Sequence, residues 1–529
     1  IDAAEEGDTV LVLPGTYDRP DDQNLKFEYT SNNSPKHIVL MSRGGPDSTI
    51  IDCEGNETAF DITSGTDTTL QIIGFKIING WAQDQISGAA IKIEGYHVFP
   101  QAPTKSQAVF KNCIIEDNDG YGPTVYIEGG IGIFRDCVIR NNRREYEMNV
   151  EIPGGAFRVT SQNFGSEAGV NIGVLVLDRS KVLSNFLDNT DTGGMGVELK
   201  GAGIRVDEAR AIIRNSLIAD NYFTGTSTNW SRGAGISVYN GSIALINSAV
   251  SGNEGFTGNY GSGLIVNNDI DGFQHFSRDI IILNSIIAEN TPSANQFYIG
   301  DPGSGNNYTE YTAMSNSIFE NGSGESWFDA GDDHYDFDPL FADSTYALSE
   351  YSHAIGRGGT SIEDSDGNDL LAPGVDILGN PRPNPAGSNP DIGAYEHVLS
   401  DYRRYVYYVD DTNGDDSNDG LTSDGAVKTI VKAYKKFTTG TYILWYPVVT
   451  RERINAMEKD FSRSEVKNLL QVEFCLKDDS DQYGMTGTGL FIVNPPWQLE
   501  SQLNEILPYL KAKLGEENTT FTLKKLIEE

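Results

Sequence analysis

Two runs of alternating oxygen-bearing side chains offer chemistry at once: Asp364, Asp366 and Asn368 within residues 364–369, and Asp411, Asn413 and Asp415 within residues 411–416. Carboxylates and amide carbonyls on alternate residues are the ligands that a hard cation such as calcium takes. A helix–loop–helix calcium loop would place Gly sixth and Glu twelfth, where these runs have Asp369 with Val375 and Asp416 with Thr422. Each run therefore reads either as a calcium loop of another kind or as a solvated turn. The six histidines (His37, His97, His275, His334, His353 and His397) are scattered. The four cysteines, Cys53, Cys113, Cys137 and Cys475, lack metal-site spacing and read as small buried residues.

The elements that must position such groups are repetitive. A phrase of Asn or Asp, then Cys or Ser, two mostly apolar residues, two variable ones and Asn recurs: Asn112-Cys113 to Asn118, Asp136-Cys137 to Asn142, Asn215-Ser216 to Asn221, Asn247-Ser248 to Asn253 and Asn284-Ser285 to Asn290. Looser copies begin at Arg179-Ser180 and Asn316-Ser317. Between them lie Gly-led strand openings such as Gly201-Ala202-Gly203-Ile204 and Gly233-Ala234-Gly235-Ile236. Each cycle then holds three short strands, and stacked cycles bury a core that no single cycle could. The expected fold class is mainly β, a right-handed parallel β-helix with three-strand coils, carrying a C-terminal α/β fragment. The recurring Asn is expected as a structural ladder along a turn. Loops inserted between strands, for example 142–153 and 185–200, are where binding residues would be sought.

Charge divides the chain. Residues 1–427 carry 25 Lys and Arg against 62 Asp and Glu, the whole of the net −37, while residues 428–529 carry 14 of each. So acidic a surface argues against nucleic acid as a partner and fits an extracellular setting. No stretch approaches the roughly 18 apolar residues of a membrane span. The chain opens in mid-pattern at Ile1, so further N-terminal residues are expected. The organisation read from the sequence is a β-helix over 1–400, the truncated start of a second β-helix or a linker over 401–432, and an unrelated α/β fragment over 433–529.

On the Gly-Ala-Gly-Ile and Asn-Ser phrases, residues 1 to about 400 resemble the pectin-lyase-like β-helix superfamily and the repeat proteins of bacterial surfaces. The segments Asp338-Pro339-Leu340-Phe341 and Asp391 to Glu396 look like its closing elements. Superfamily members that cleave uronic-acid polymers use either clustered Asp holding calcium with a basic Lys or Arg as proton acceptor, or paired Asp in acid and base roles. Here only Arg140, Arg158 and Arg205 offer such a basic group, so the resemblance leads to an expectation of a secreted or surface-exposed, non-enzymatic scaffold, adhesive or glycan-binding. A polysaccharide lyase is the enzymatic alternative.

The tail resembles another family. Tyr434 to Val449, Asp479 to Thr486 and Ile492-Val493-Asn494-Pro495-Pro496-Trp497 are similar to the C-terminal part of bacterial 23S ribosomal RNA adenine-N6 methyltransferases. That resemblance implies an S-adenosylmethionine loop and a catalytic Asp-Pro-Pro-Tyr upstream, where this chain has β-helix. Asn494, Pro495, Pro496 and Trp497 would be the later copy of the motif, a remnant without catalysis, and no bound S-adenosylmethionine is expected. The resemblance also implies a cytoplasmic origin for this part and leaves methyltransferase function through the tail as the second alternative.

Overall fold

The computed structural model describes residues 4–27, 37–63, 65–84, 86–95, 104–145, 152–163, 170–189, 198–225, 231–256, 261–268, 277–292, 296–300, 309, 311–322, 334–403, 408–415, 417, 425–429, 442–461, 463, 468–478, 484–495, 499–515 and 518–527. The chain divides into two units, Ile1–Arg403 and Arg404–Glu529.

The first unit is a β-helix of three parallel sheets with ten, nine and eleven strands. One coil shows the rule. Ile204–Asp207 lies in the nine-stranded sheet, Arg210–Arg214 in the ten-stranded sheet and Leu217–Ala219 in the eleven-stranded sheet. The next coil repeats it in register, with Ile204 beside Ile236, Ile212 beside Ala244 and Leu217 beside Ala249. Alternation sends Ile204, Val206, Ala211 and Ile213 inside, where all are buried. Phenylalanines continue the column in earlier coils, Phe110 stacking on Phe134 at 4.9 Å between ring centres. Each such ring contributes on the order of 2 kcal/mol by leaving water.

Corners between strands require a left-handed residue, and the Asn of the repeating phrase supplies it: Asn112, Asn215, Asn247 and Asn284 have φ between 45° and 49°. Asn tolerates that region because its short amide bonds locally. Beyond the corner the expected ladder is present. Asn118, Asn142, Asn185, Asn221, Asn253 and Asn290 each donate from Nδ2 to the next member's Oδ1 at 2.8–3.0 Å, the last to Gln296 Oε1. A second ladder runs through the serines: the Ser180, Ser216 and Ser248 amides each donate to the Oγ of the next coil's serine at 3.1–3.2 Å.

After His334–Tyr335, the last strand of the eleven-stranded sheet, residues 336–403 leave the coil pattern and cover the outer face of that sheet. Tyr346, Leu348, Ile355, Ile392 and Tyr395 pack on Leu217, Ala249, Ile286, Ala288 and Ile318. The corner asparagines also fasten this segment: Asn247, Asn284 and Asn316 donate to the carbonyls of Asp391, Gly359 and Arg357 at 3.1, 2.8 and 3.0 Å.

The second unit is a four-stranded antiparallel sheet ordered Tyr442–Val448, Gly487–Val493, Leu469–Cys475, Thr520–Ile527. Helix Arg451–Phe461 covers one face through Ile454 and Phe461, and helix Leu499–Leu514 covers the other through Leu503 and Leu507. The apolar stripe of the second helix is narrower than its spacing suggests, since Ile506 is 48% exposed. Each face has its own small core, so antiparallel pairing with one helix per side gives this segment a two-layered interior of its own. Among the described residues no helix is long and apolar enough to cross a membrane.

Candidate functional site

The three arginines singled out as possible bases are not brought together. Arg140 stands on the eleven-stranded sheet, where its Nε lies 2.6 Å from Glu116 Oε2 and Lys76 approaches the same carboxylate at 3.0 Å. Burial works against ionisation of Glu116, but these two cations win and hold it below the usual carboxylate range. Arg158 and Arg205 do meet, on the outer face of the nine-stranded sheet, because adjacent coils place them side by side. Both turn to one carboxylate: Arg205 Nε donates to Asp207 Oδ1 at 2.6 Å and Arg158 Nε lies 3.5 Å from Asp207 Oδ2. Their guanidinium groups sit 5.8 and 5.5 Å from the ring centres of Tyr126 and Tyr239. Beside them, burial first and then the neighbouring Glu94 push Glu128 upward. This is a face of paired charges, with both arginines engaged by Asp207.

The inserted loops contribute structure as well. Arg144 is fully buried and donates to the carbonyls of Tyr121 and Gly154 at 3.0 and 2.8 Å. Residues 146–151 and 190–197, the rest of the two loops where binding residues were sought, lie outside the described residues.

The candidate calcium residues spend their oxygens on their own turns. Asp364 Oδ1 accepts the amides of Asp366 and Asn368 at 3.0 and 2.8 Å, and the bonds from Asn368 hold this carboxyl below its ordinary range. In the second run the pivot is Asp410, which the spacing did not single out: its Oδ1 accepts the amides of Thr412 and Asn413 at 2.9 and 3.0 Å. Asp411 takes the Thr412 hydroxyl at 3.0 Å, and Asp415 takes the amide and hydroxyl of Ser417 at 2.8 Å. Among the described residues no group of three His, Cys, Asp or Glu is gathered to hold a metal.

In the second unit, strand Gly487–Val493 lies between two partners and ends at Asn494, which turns left-handed with φ 48°. Its amide donates to Asn468 O at 2.9 Å. Pro495 follows, and Pro496 and Trp497 lie outside the described residues. A polar network that the sequence reading missed lies under helix Arg451–Phe461. Tyr446 Oη donates to Glu473 Oε1 at 2.8 Å, Arg451 Nη1 reaches both Glu473 oxygens at 2.9 and 2.8 Å, and Gln471 Nε2 donates to Tyr446 Oη at 2.9 Å. Burial first, and then the carboxylate it faces, push the Tyr446 phenol upward. The one available signal was a polar residue at every second place of a strand, Gln471 and Glu473, on a face that otherwise carries Leu469 and Cys475.

Residues 418–527 match the family model described as Ribosomal RNA large subunit methyltransferase D, RlmJ. Ribosomal RNA large subunit methyltransferase J of Haemophilus influenzae is 46% identical over 96 residues, 18% of this chain and 34% of that protein. Its Escherichia coli counterpart is 47% identical over 88 residues, 17% and 31% of the two chains. A solved Legionella pneumophila structure described as family-model DUF519 shares 30% identity over 18% of this chain and 35% of its own, with a TM-score of 0.17. The chain thus spans about one third of the length of the curated relatives it matches.

These matches overturn the expectation of an extracellular adhesive or glycan-binding protein, since the named relatives modify ribosomal RNA. The physical reason is in the charge: the acidity that argued for a secreted surface and against nucleic acid belongs to residues 1–427, and the neutral stretch after it carries nearly all of the match. The match also begins at residue 418, inside the stretch expected to open a second β-helix. Residues 418–527 are thus similar to the RlmJ family, in one chain with a parallel β-helix.

Proposed function

We propose that this chain works through its C-terminal unit, as a portion of a large-subunit ribosomal RNA adenine-N6 methyltransferase. The observation that carries the reading is the 46% identity over 96 residues with a protein of that name. Two structural features support it. The segment has a core on each face of its sheet, and its Asn494–Pro495 turn closes an internal strand, a place from which the Asn-Pro-Pro-aromatic motif can face an extruded adenine. Asn494 is assigned to substrate contact, and methyl-donor binding and catalysis to the part of the enzyme beyond this match. The Tyr446–Glu473–Arg451 network is assigned to holding helix Arg451–Phe461 on the sheet. For the first unit we infer kinship with the pectin-lyase-like β-helices from its coil phrases, and we place the join within residues 401–432.

The test is methyl transfer from labelled S-adenosylmethionine to a 23S ribosomal RNA transcript, run with the full chain alone and with the upstream two thirds of a relative added in trans. Selective retention of the transcript over an unrelated RNA of equal length, with methylation only in the complemented reaction, is expected. Equal binding of both RNAs with no methylation in either reaction would overturn the reading.

A further inference from the structure

The three outer faces of the β-helix differ. That of the nine-stranded sheet is polar, with Tyr126, Arg158, Arg205 and Ser237 in consecutive coils. That of the eleven-stranded sheet is apolar in its later coils, where the closing segment covers it. The ten-stranded sheet is apolar outside as well as inside: Val109, Ile133, Val176, Ile212 and Ala244 form one outward column in register, and Ile131 and Val174 flank it. From Ile133 to Ala244 this column stays partly exposed. At its far end Ile281 is buried, beside strand Ser361–Glu363 of the closing segment, where Tyr311 Oη donates to Glu363 O at 3.0 Å. Among the described residues, the closing segment covers apolar outer surface at the later coils and stops short of these earlier ones.

We propose that a second copy of this chain packs on this face, sheet against sheet, as a two-fold dimer. Two observations select that occupant. Eight strands, from Thr9–Val12 to Ser242–Ile246, span about 34 Å at about 4.8 Å per strand, and their length of three to five residues adds about 15 Å of width on average. Two such faces bury roughly 1,000 Å², the lower bound of a biological interface. Charge points the same way. A chain of net −37 repels its copies over most of its surface, whereas the acidic residues in the strands of this sheet are Asp178 and Asp279, against Lys111, Arg135, Arg210 and Arg214. This is the face on which two copies approach with least repulsion.

Sedimentation equilibrium of the full chain at physiological salt tests the proposal. A dimer is expected, and the double variant Val176→Glu/Ile212→Glu should weaken it by about 100-fold or more, since two carboxylates would be buried unpaired. The control Lys26→Glu, at an exposed position of the nine-stranded sheet, should leave it unchanged. Circular dichroism checks that the double variant folds. If it does not, Val176→Cys and Lys26→Cys with a short bis-maleimide decide instead: covalent dimer from the first and none from the second is expected. A wild type that stays monomeric at high micromolar concentration, a dimer indifferent to the double variant, or equal cross-linking from both cysteines would each overturn the proposal.

Discussion

The two units of this chain satisfy their buried polar groups in opposite ways. In the β-helix a buried Asn finds its partner in the same residue one coil away, as Asn185, Asn221 and Asn253 do. In the C-terminal unit Glu473 is served by three different residues, Tyr446, Arg451 and, through the phenol, Gln471. The first arrangement is periodic and shares its load along a column. The second is assembled once, so one substitution takes most of it away.

The largest expected effect probes the column. Asn221→Ala strands the Asn185 side-chain and backbone donors and removes three bonds to Val182, Ala219 and Asn253. A loss of about 3 kcal/mol is expected by chemical denaturation, with hydrogen exchange rising in both adjacent coils. A loss confined to the mutated coil would break the comparison. Next, Glu473→Gln should cost about 2 kcal/mol, reduced from the value for a buried ion pair because Arg451 is partly exposed. Differential scanning calorimetry should show only the transition of the C-terminal unit moving.

A pH experiment sharpens the contrast within the first unit. Burial, and then the neighbouring Glu396, raise Asp391 to about 7, and Glu396 is raised as well. The folded state therefore holds these protons more tightly than the unfolded chain. Their contribution is full below the unfolded value near 4 and is lost as pH rises through about 7. Thermal midpoints of the first unit should fall between pH 5 and pH 8, less steeply in Asp391→Asn, while that of the second unit lacks this step. The smallest effect belongs to an exposed corner: Asn112→Ala forces a left-handed alanine and should cost about 1 kcal/mol by denaturant titration.

What could be read in advance follows the same division. The Asn column and the three strands per coil were legible because a solenoid writes each requirement many times at similar spacing, and even the loose copy at Arg179-Ser180 keeps its Asn185. The fastening of the closing segment was not, although its Asp391 to Glu396 phrase was noticed. Asn247 reaches Asp391 across 144 residues, and the matching bonds of Asn284 and Asn316 span 75 and 41, so no period announces them. The charge misled because the acidity of residues 1–427 was extended to the neutral stretch after it. Asp410 escaped attention for a local reason: an Asx turn needs one carboxylate ahead of free amides, and alternation of oxygens directs the eye to the residues after it.

The Asn ladder also has a direction. Each side-chain amide gives one hydrogen bond back to a carbonyl of the preceding coil, but its bond to the next member always runs toward the C-terminal coil, so the column is a polarised wire with a donor end and an acceptor end. At the last rung Asn290 gives its bond to Gln296 Oε1, and Gln296 Nε2 returns one to the Asn290 carbonyl at 2.8 Å. That closed exchange is a terminator. It leaves the wire no dangling donor for a further coil, from this chain or another, and so sets the number of rungs by chemistry written in a single glutamine.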